Sequence, residues 1–188
     1  MARLNNINRE ELSSSDQEYY DSIVGSRGSV RGPYGVLLHS PDLASRIAHT
    51  GTYVRFELDL PESLKETVII TAAREIRNQY EFAAHARLAR AAGVEESTIS
   101  TIAQGKSIDS LPEEEKLLVT YTQQLIRDHK IQDEVFNAVS NKYGTKKTVD
   151  ITALIGHYLL VGQILSAFEV DLAEGMTAEI TDYGKTVW

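Results

Sequence analysis

The chain has 188 residues, 42% of them hydrophobic and 24% charged, and its 19 basic and 27 acidic side chains give a net charge of −8. This size and composition suit one globular domain with its own core, and the acidic balance argues against a nucleic-acid partner. The absence of cysteine excludes disulfides, thiolate zinc sites, iron–sulfur clusters and thiol-based peroxide chemistry.

Residues 1–13 read as an irregular arm. They contain no apolar stretch of signal-peptide length, and no later run reaches membrane-spanning length, so a cytoplasmic location without a membrane partner is expected. A short helix is predicted from Ser14 to Val24. A loop follows from Gly25 to Gly35, without the spacing of a phosphate-binding glycine motif. Ser40-Pro41 starts a helix running to about Phe56, with Leu43, Ile47, Thr50 and Val54 as its expected buried face. Pro61 opens the next, where Leu64, Val68, Ile69, Ala72 and Ile76 recur at helical spacing. Asn78 with Glu81 three residues later is a capping-box pattern, so one helix is predicted to end near Arg77 and another to begin at once, closing at Gly93.

A shorter helix covers about 96–103. Ser110 and Glu113 form a second capping-box pattern before an apolar stripe of Leu117, Leu118, Tyr121, Leu125 and Ile126. Gln132 to Tyr143 reads as helix closed by Gly144. The last helix, Val149 to about Leu172, is almost continuously apolar from Ile151 to Phe168 and is expected to be central and buried on most sides. Residues 173–188 form a second peripheral arm. The expected class is all-α, with seven or eight helices in a single domain spanning 1–188.

The chemistry concentrates at Tyr80-Glu81-Phe82-Ala83-Ala84-His85. Glu81 and His85 are one helical turn apart and share a face. If the helices meeting near Asn78 are antiparallel, Glu66 returns towards His85, and Tyr80 adds a hydroxyl. Carboxylates around an imidazole can perform general acid–base work. Each residue also has a plainer role. His85 can be an ordinary half-buried side chain, Glu81 can complete the helix cap, and Glu66 can be a solvated helix residue. His157, in the most apolar helix, can be a core or interface histidine. A metal held by Glu66, Glu81, His85 and His157 can be drawn, but no ligand spacing supports it, and no metal or organic cofactor is expected.

Leu64-Lys65-Glu66, Tyr80 to His85 and Leu88-Ala89-Arg90-Ala91-Ala92-Gly93-Val94 together resemble the carboxymuconolactone decarboxylase family, which includes the AhpD-like alkylhydroperoxidases. Arg31-Gly32-Pro33, His39-Ser40-Pro41 and the segments around Ile155 to Tyr158 and Phe168 to Val170 extend the similarity over most of the chain. The resemblance implies an AhpD-like helical bundle that assembles into dimers, trimers or hexamers. In the peroxidase branch two cysteines and a histidine work with a glutamate of the preceding helix. Here the glutamate matches Glu66, the histidine matches His85, and the cysteine positions hold Asn78 and Glu81. The decarboxylase branch carries a Tyr-Glu-Trp-x-x-x-His-like pattern, which this sequence approaches with Phe82 in place of tryptophan.

That resemblance implies a cofactor-free enzyme, not a peroxidase, acting on a small carboxylated lactone or related carboxylic acid. His85 would donate a proton or stabilise charge, Glu81 would orient it, and Glu66 and Tyr80 would complete the relay. His39, Phe82, His157, Arg31 and Arg74 are the candidate substrate-pocket residues. A lactone hydrolase on the same fold and a non-catalytic oligomeric binding protein are the alternatives.

Overall fold

The structure, a computed structural model, describes residues 2–181. Among these it contains α1 (Gln17–Arg27), α2 (Pro33–Leu37), α3 (Pro41–Thr52), α4 (Glu62–Glu75), α5 (Gln79–Ala91), α6 (Glu96–Ala103), α7 (Glu113–Arg127) and α8 (Asp133–Ala167). No strand occurs among the described residues, and the fold is all-α.

The central element is α4, whose residues from Leu64 to Ala73 are all buried. It packs against α5, α6, α7 and α8. One core cluster fills the space between α4, α3, α7 and α8 around Val68, Ile69, Leu118, Tyr121 and Ile155. A second lies where α4 meets α5 and α6, around Ile70, Phe82, Ala86 and Ile99. Tight packing along α4 leaves room for polar side chains only where they are paired, and Lys65 and Glu66 both lie in this buried run.

Several helix boundaries differ from the sequence expectation. The first helix starts at Gln17, because Ser13 turns the chain by accepting from the Asp16 N–H at 3.2 Å. Pro112, not Ser110, occupies the position before α7. The buried face of α3 is Ala44, Ile47, Ala48 and Gly51; Leu43 is 46% exposed and Thr50 also faces outward. Apart from Ile47, small residues meet the core here, letting α3 approach its neighbours closely.

Directly after α3 the chain makes a π turn, Tyr53–Glu57, in which the Leu58 N–H donates to the Tyr53 carbonyl at 3.0 Å. Such turns accommodate one extra residue and change which side chains face inward. Val54 and Arg55 are the buried residues of this one.

Gly144 breaks α8 with φ 78° and ψ 163°, dividing it into arms 133–143 and 145–167. The second arm is less enclosed than its composition suggests. Ile151, Leu154, Ile155, Tyr158, Val161 and Leu165 are buried, while Val149, Ala153, Gly156, Leu160, Gln163 and Ala167 form an exposed stripe on the opposite side. By length and composition α8 could cross a membrane, but 56% of its most apolar window is buried within the fold, as in a core helix.

Both arms of the chain are docked where they are described. The Arg3 N–H donates to the Phe168 carbonyl at 2.8 Å, and the Ile7 N–H to Gly35 at 3.1 Å. The C-terminal segment crosses α5, where the Gln79 side-chain oxygen accepts from the Glu179 and Ile180 N–H groups at 3.0 and 3.2 Å. Ile180 is buried in the second cluster. The remainder of the expected arm, residues 182–188, lies outside the described residues.

Candidate functional site

The site begins with the junction between α4 and α5. Arg77 adopts a left-handed conformation, φ 56°, and the Asn78 N–H donates back to the Ala73 carbonyl at 2.9 Å. This closes α4 and turns the chain within three residues. Asn78 Oδ1 then accepts from the Glu81 N–H at 2.9 Å, capping α5. The Asn78 side-chain amide donates to the Gly162 carbonyl and Ser166 Oγ at 2.9 and 3.1 Å, tying the junction to α8. With its own N–H committed to Ala73, Asn78 offers Glu81 nothing to close the other half of a capping box. The Glu81 carboxylate is directed to His85 instead.

The two helices run back along each other, bringing Glu66 and His85 together. His85 Nδ1 lies 2.8 Å from Glu66 Oε2, and His85 Nε2 lies 3.4 Å from Glu81 Oε2. An ionised Glu66 can only accept, so Nδ1 carries the proton and Nε2 faces Glu81. Arg55 donates to Glu66 and, through its other terminal nitrogen, to Glu62. Lys65 donates to the Arg55 carbonyl at 3.0 Å and pairs with Glu62 at 2.9 Å. The π turn thus delivers a buried guanidinium to a fully buried carboxylate. The pairing compensates both desolvated charges.

This line of side chains opens onto a cavity of about 400 Å³. Glu81 and His85 lie on its wall with Tyr34, Tyr80, His157 and Tyr158, and four arginines, Arg27, Arg31, Arg55 and Arg87, also line it. Its positive surroundings contrast with the chain's net charge of −8. Arg27 stacks over the Tyr34 ring at 4.4 Å and donates to the Ala48 carbonyl at 3.1 Å. Gly51 makes this possible, because a Cβ there would come within 2.5 Å of the Arg27 guanidinium and 2.7 Å of His157 Nε2.

Burial raises the Glu81 pKa above the usual carboxyl value, and Glu66 adds to the rise, while His85 and Arg27 oppose it. Burial likewise holds the Tyr158 hydroxyl well above its ordinary value. His157 moves the other way: burial, with help from Arg27 and His85, pushes it down to about 4. Its imidazole is neutral at physiological pH. The site therefore combines an acid disposed to keep its proton, an oriented imidazole and fixed positive charge.

The structure brings together Glu66, Glu81 and His85, with Tyr80, His157 and Arg31 on the same cavity. Three expected pocket residues lie elsewhere. His39 is exposed and its Nε2 sits 2.9 Å from the Asn5 carbonyl. Phe82 points away from Glu81 into the second core cluster, because adjacent helical residues are about 100° apart. Arg74 donates to the Ala103 carbonyl at 3.1 Å, anchoring the end of α6. Glu66 and Glu81 contact different nitrogens of one imidazole, an arrangement that cannot close around a shared ion. Among the described residues no group of three or more potential ligands is placed to hold a metal.

Sequence reading missed Arg55, Arg27, Tyr34 and Tyr158. Arg55 carried one signal, a charge between Val54 and Phe56 at the end of an amphipathic segment. The others became recognisable only when separate helices converged.

Residues 41–121 match the sequence model of the carboxymuconolactone decarboxylase family. The sequence has no significant match among the curated proteins with which it was compared. Among solved structures, the chain is similar to an alkylhydroperoxidase AhpD core, peroxidase-related protein from Ralstonia eutropha JMP134, with TM-score 0.75, 14% identity, and 92% of this chain and 93% of that one covered. It is similar to the debrominase Bmp8, solved with 2,3,4-tribromopyrrole, with TM-score 0.72, 13% identity and coverage of 90% and 91%. A protein of unknown function from Agrobacterium tumefaciens gives TM-score 0.66 and 16% identity over 76% and 98%. At these identities the structures show a common all-α fold, and the likeness to the carboxymuconolactone decarboxylase family in sequence rests on the central segment 41–121.

Proposed function

We propose that the protein is a cofactor-free acid–base enzyme that decarboxylates a small carboxylated lactone or related carboxylic acid. The observation that carries this reading is the line Arg55–Glu66–His85–Glu81 ending on an arginine-lined cavity. A substrate carboxylate is attracted by the arginines and turned so that its bond to the ring can break. The electron pair of that bond passes into the conjugated carbonyl as CO2 leaves, and the resulting enolate takes a proton at carbon.

The geometry supports a different division of labour from the one the family resemblance implies. Glu66, held by Arg55, orients His85 through Nδ1. Glu81 is then the better proton donor, since burial raises its pKa above the usual carboxyl value and it lies on the cavity wall. His85 Nε2, facing Glu81, is placed to take a proton from solvent and pass it to the Glu81 carboxylate left after the enolate is protonated. Peroxide reduction through a disulfide is not open to a chain without cysteine.

The test is a screen of purified protein against carboxylated muconolactones and related β-keto and enol-lactone acids, following CO2 release and ultraviolet absorbance. His85→Ala is expected to lower turnover by about 100-fold or more. Undiminished turnover in that variant overturns the mechanism, and ring opening without CO2 identifies a lactone hydrolase instead. The absence of turnover on every acid, with retained binding, supports a non-catalytic binding protein.

We further propose that the chain forms a homo-oligomer, supported by the exposed stripe on α8. Its positions 149, 153, 156, 160, 163 and 167 alternate in steps of four and three. That spacing suits a helix–helix seam.

A further inference from the structure

We propose that the Tyr158 hydroxyl is a catalytic hydrogen-bond donor that holds the oxyanion formed on the substrate, which makes the cavity a receptor for planar acids bearing a second, anionic oxygen. Tyr158 sits on the inner side of α8, 7% exposed, with its ring edge-on to His85 at 4.8 Å and to His157 at 5.5 Å. Those two contacts fix the ring. Its hydroxyl has no hydrogen-bond partner among the described residues. Arg27 Nε is the one sealed, unpartnered side-chain polar atom there, so the Tyr158 oxygen is not sealed: it reaches the cavity that its residue lines. A donor that is rigid, largely desolvated and uncommitted is aimed at whatever fills the cavity.

The surroundings favour this use. Arg27 supplies positive charge, Glu66 is balanced by Arg55, and burial disfavours the charged form of Glu81. Tyr158 is itself hard to ionise, since burial and the nearby carboxylates oppose its phenolate. It therefore keeps its proton while sharing it with a ligand oxygen. The enolate oxygen left by decarboxylation is such an acceptor, so the inference rests on the acid–base reading above for its catalytic meaning, though not for its binding chemistry.

The test uses 4-hydroxy-3-nitrobenzoate, a planar carboxylate whose phenol ionises with a visible change in absorbance. Spectral pH titrations are run on the free probe and on the probe with wild-type protein or Tyr158→Phe. The wild type is expected to bind the phenolate about tenfold or more tightly than the phenol, lowering the probe's apparent pKa. Tyr158→Phe is expected to lose that preference while keeping affinity for the phenol form and an unchanged melting temperature, because no bond within the described residues is lost. Failure of the wild type to lower the probe's pKa overturns the inference without recourse to the variant. Equal phenolate preference in a folded Tyr158→Phe protein also overturns it. A Tyr158-dependent preference in a protein that decarboxylates none of the screened acids upholds the oxyanion seat and defeats the decarboxylase reading.

Discussion

Glu66 contributes a charge that cannot be removed quietly. It is fully buried between Arg55 and His85, and neutralising it leaves the Arg55 guanidinium desolvated beside a weaker acceptor. Glu66→Gln is expected to destabilise the fold by about 3 kcal/mol, measured as a shift of the urea midpoint at unchanged slope. His157 gives a pH signature of its own. Its folded pKa of about 4 lies below the ordinary 6.5, so the unfolded chain binds the extra proton first. Its contribution to stability is complete above pH 6.5 and is lost as pH falls towards 4. Glu81 has the opposite sign: its raised pKa contributes stability at low pH that disappears as pH rises through the folded value. Stability–pH curves of His157→Gln should flatten on the acid side, and those of Glu81→Gln on the alkaline side of the ordinary carboxyl range. An unaltered acid limb in His157→Gln contradicts the burial assigned to that ring.

The α4–α5 hairpin is the element on which the site depends. Asn78 caps α5, joins the turn to α8 and leaves Glu81 free for His85. Asn78→Ala is expected to cost about 2 kcal/mol, somewhat above an average cap because a buried bond to α8 is lost with it. Thermal unfolding measures this, and Asn78→Asp should recover part of the cap alone. The hairpin was also the most legible part of the sequence. Its helix break and its cap followed from residue types and spacing, whereas the return of Glu66 towards His85 depended on the two helices being antiparallel, which spacing alone does not decide. Whether Glu81 completed its cap was not legible, since that depended on the Asn78 N–H being taken by Ala73. The outward turn of Leu43 was hidden for a related reason: hydropathy assigns a large apolar residue to the core, whereas close approach of α3 selected Ala44, Ala48 and Gly51.

At the scale of the molecule, the all-α class and the order of the helices were readable from periodicity, but the enclosure of each helix was not. The apolar run of α8 was expected to be covered on most sides, yet Leu160 is 43% and Val149 62% exposed. A period reveals an apolar face; it does not reveal whether the covering surface belongs to the same chain. Leu160→Glu places a charge in the middle of that stripe and is expected to shift the protein towards monomer in sedimentation or light scattering, with helix content retained. An unchanged mass would exclude the stripe as the contact. The cavity was illegible for a similar reason, since its arginines come from α1, the loop before α2, the π turn and α5. The π turn makes one of those contributions a matter of counting. Removing one residue between 53 and 57 would let α3 continue with ordinary α-helical bonding, rotating the downstream residues by about 100° and carrying Arg55 away from Glu66. The site is thus exposed to a kind of variation that substitution scans never sample: a single-codon deletion could disconnect it while every residue in contact with the ligand kept its identity.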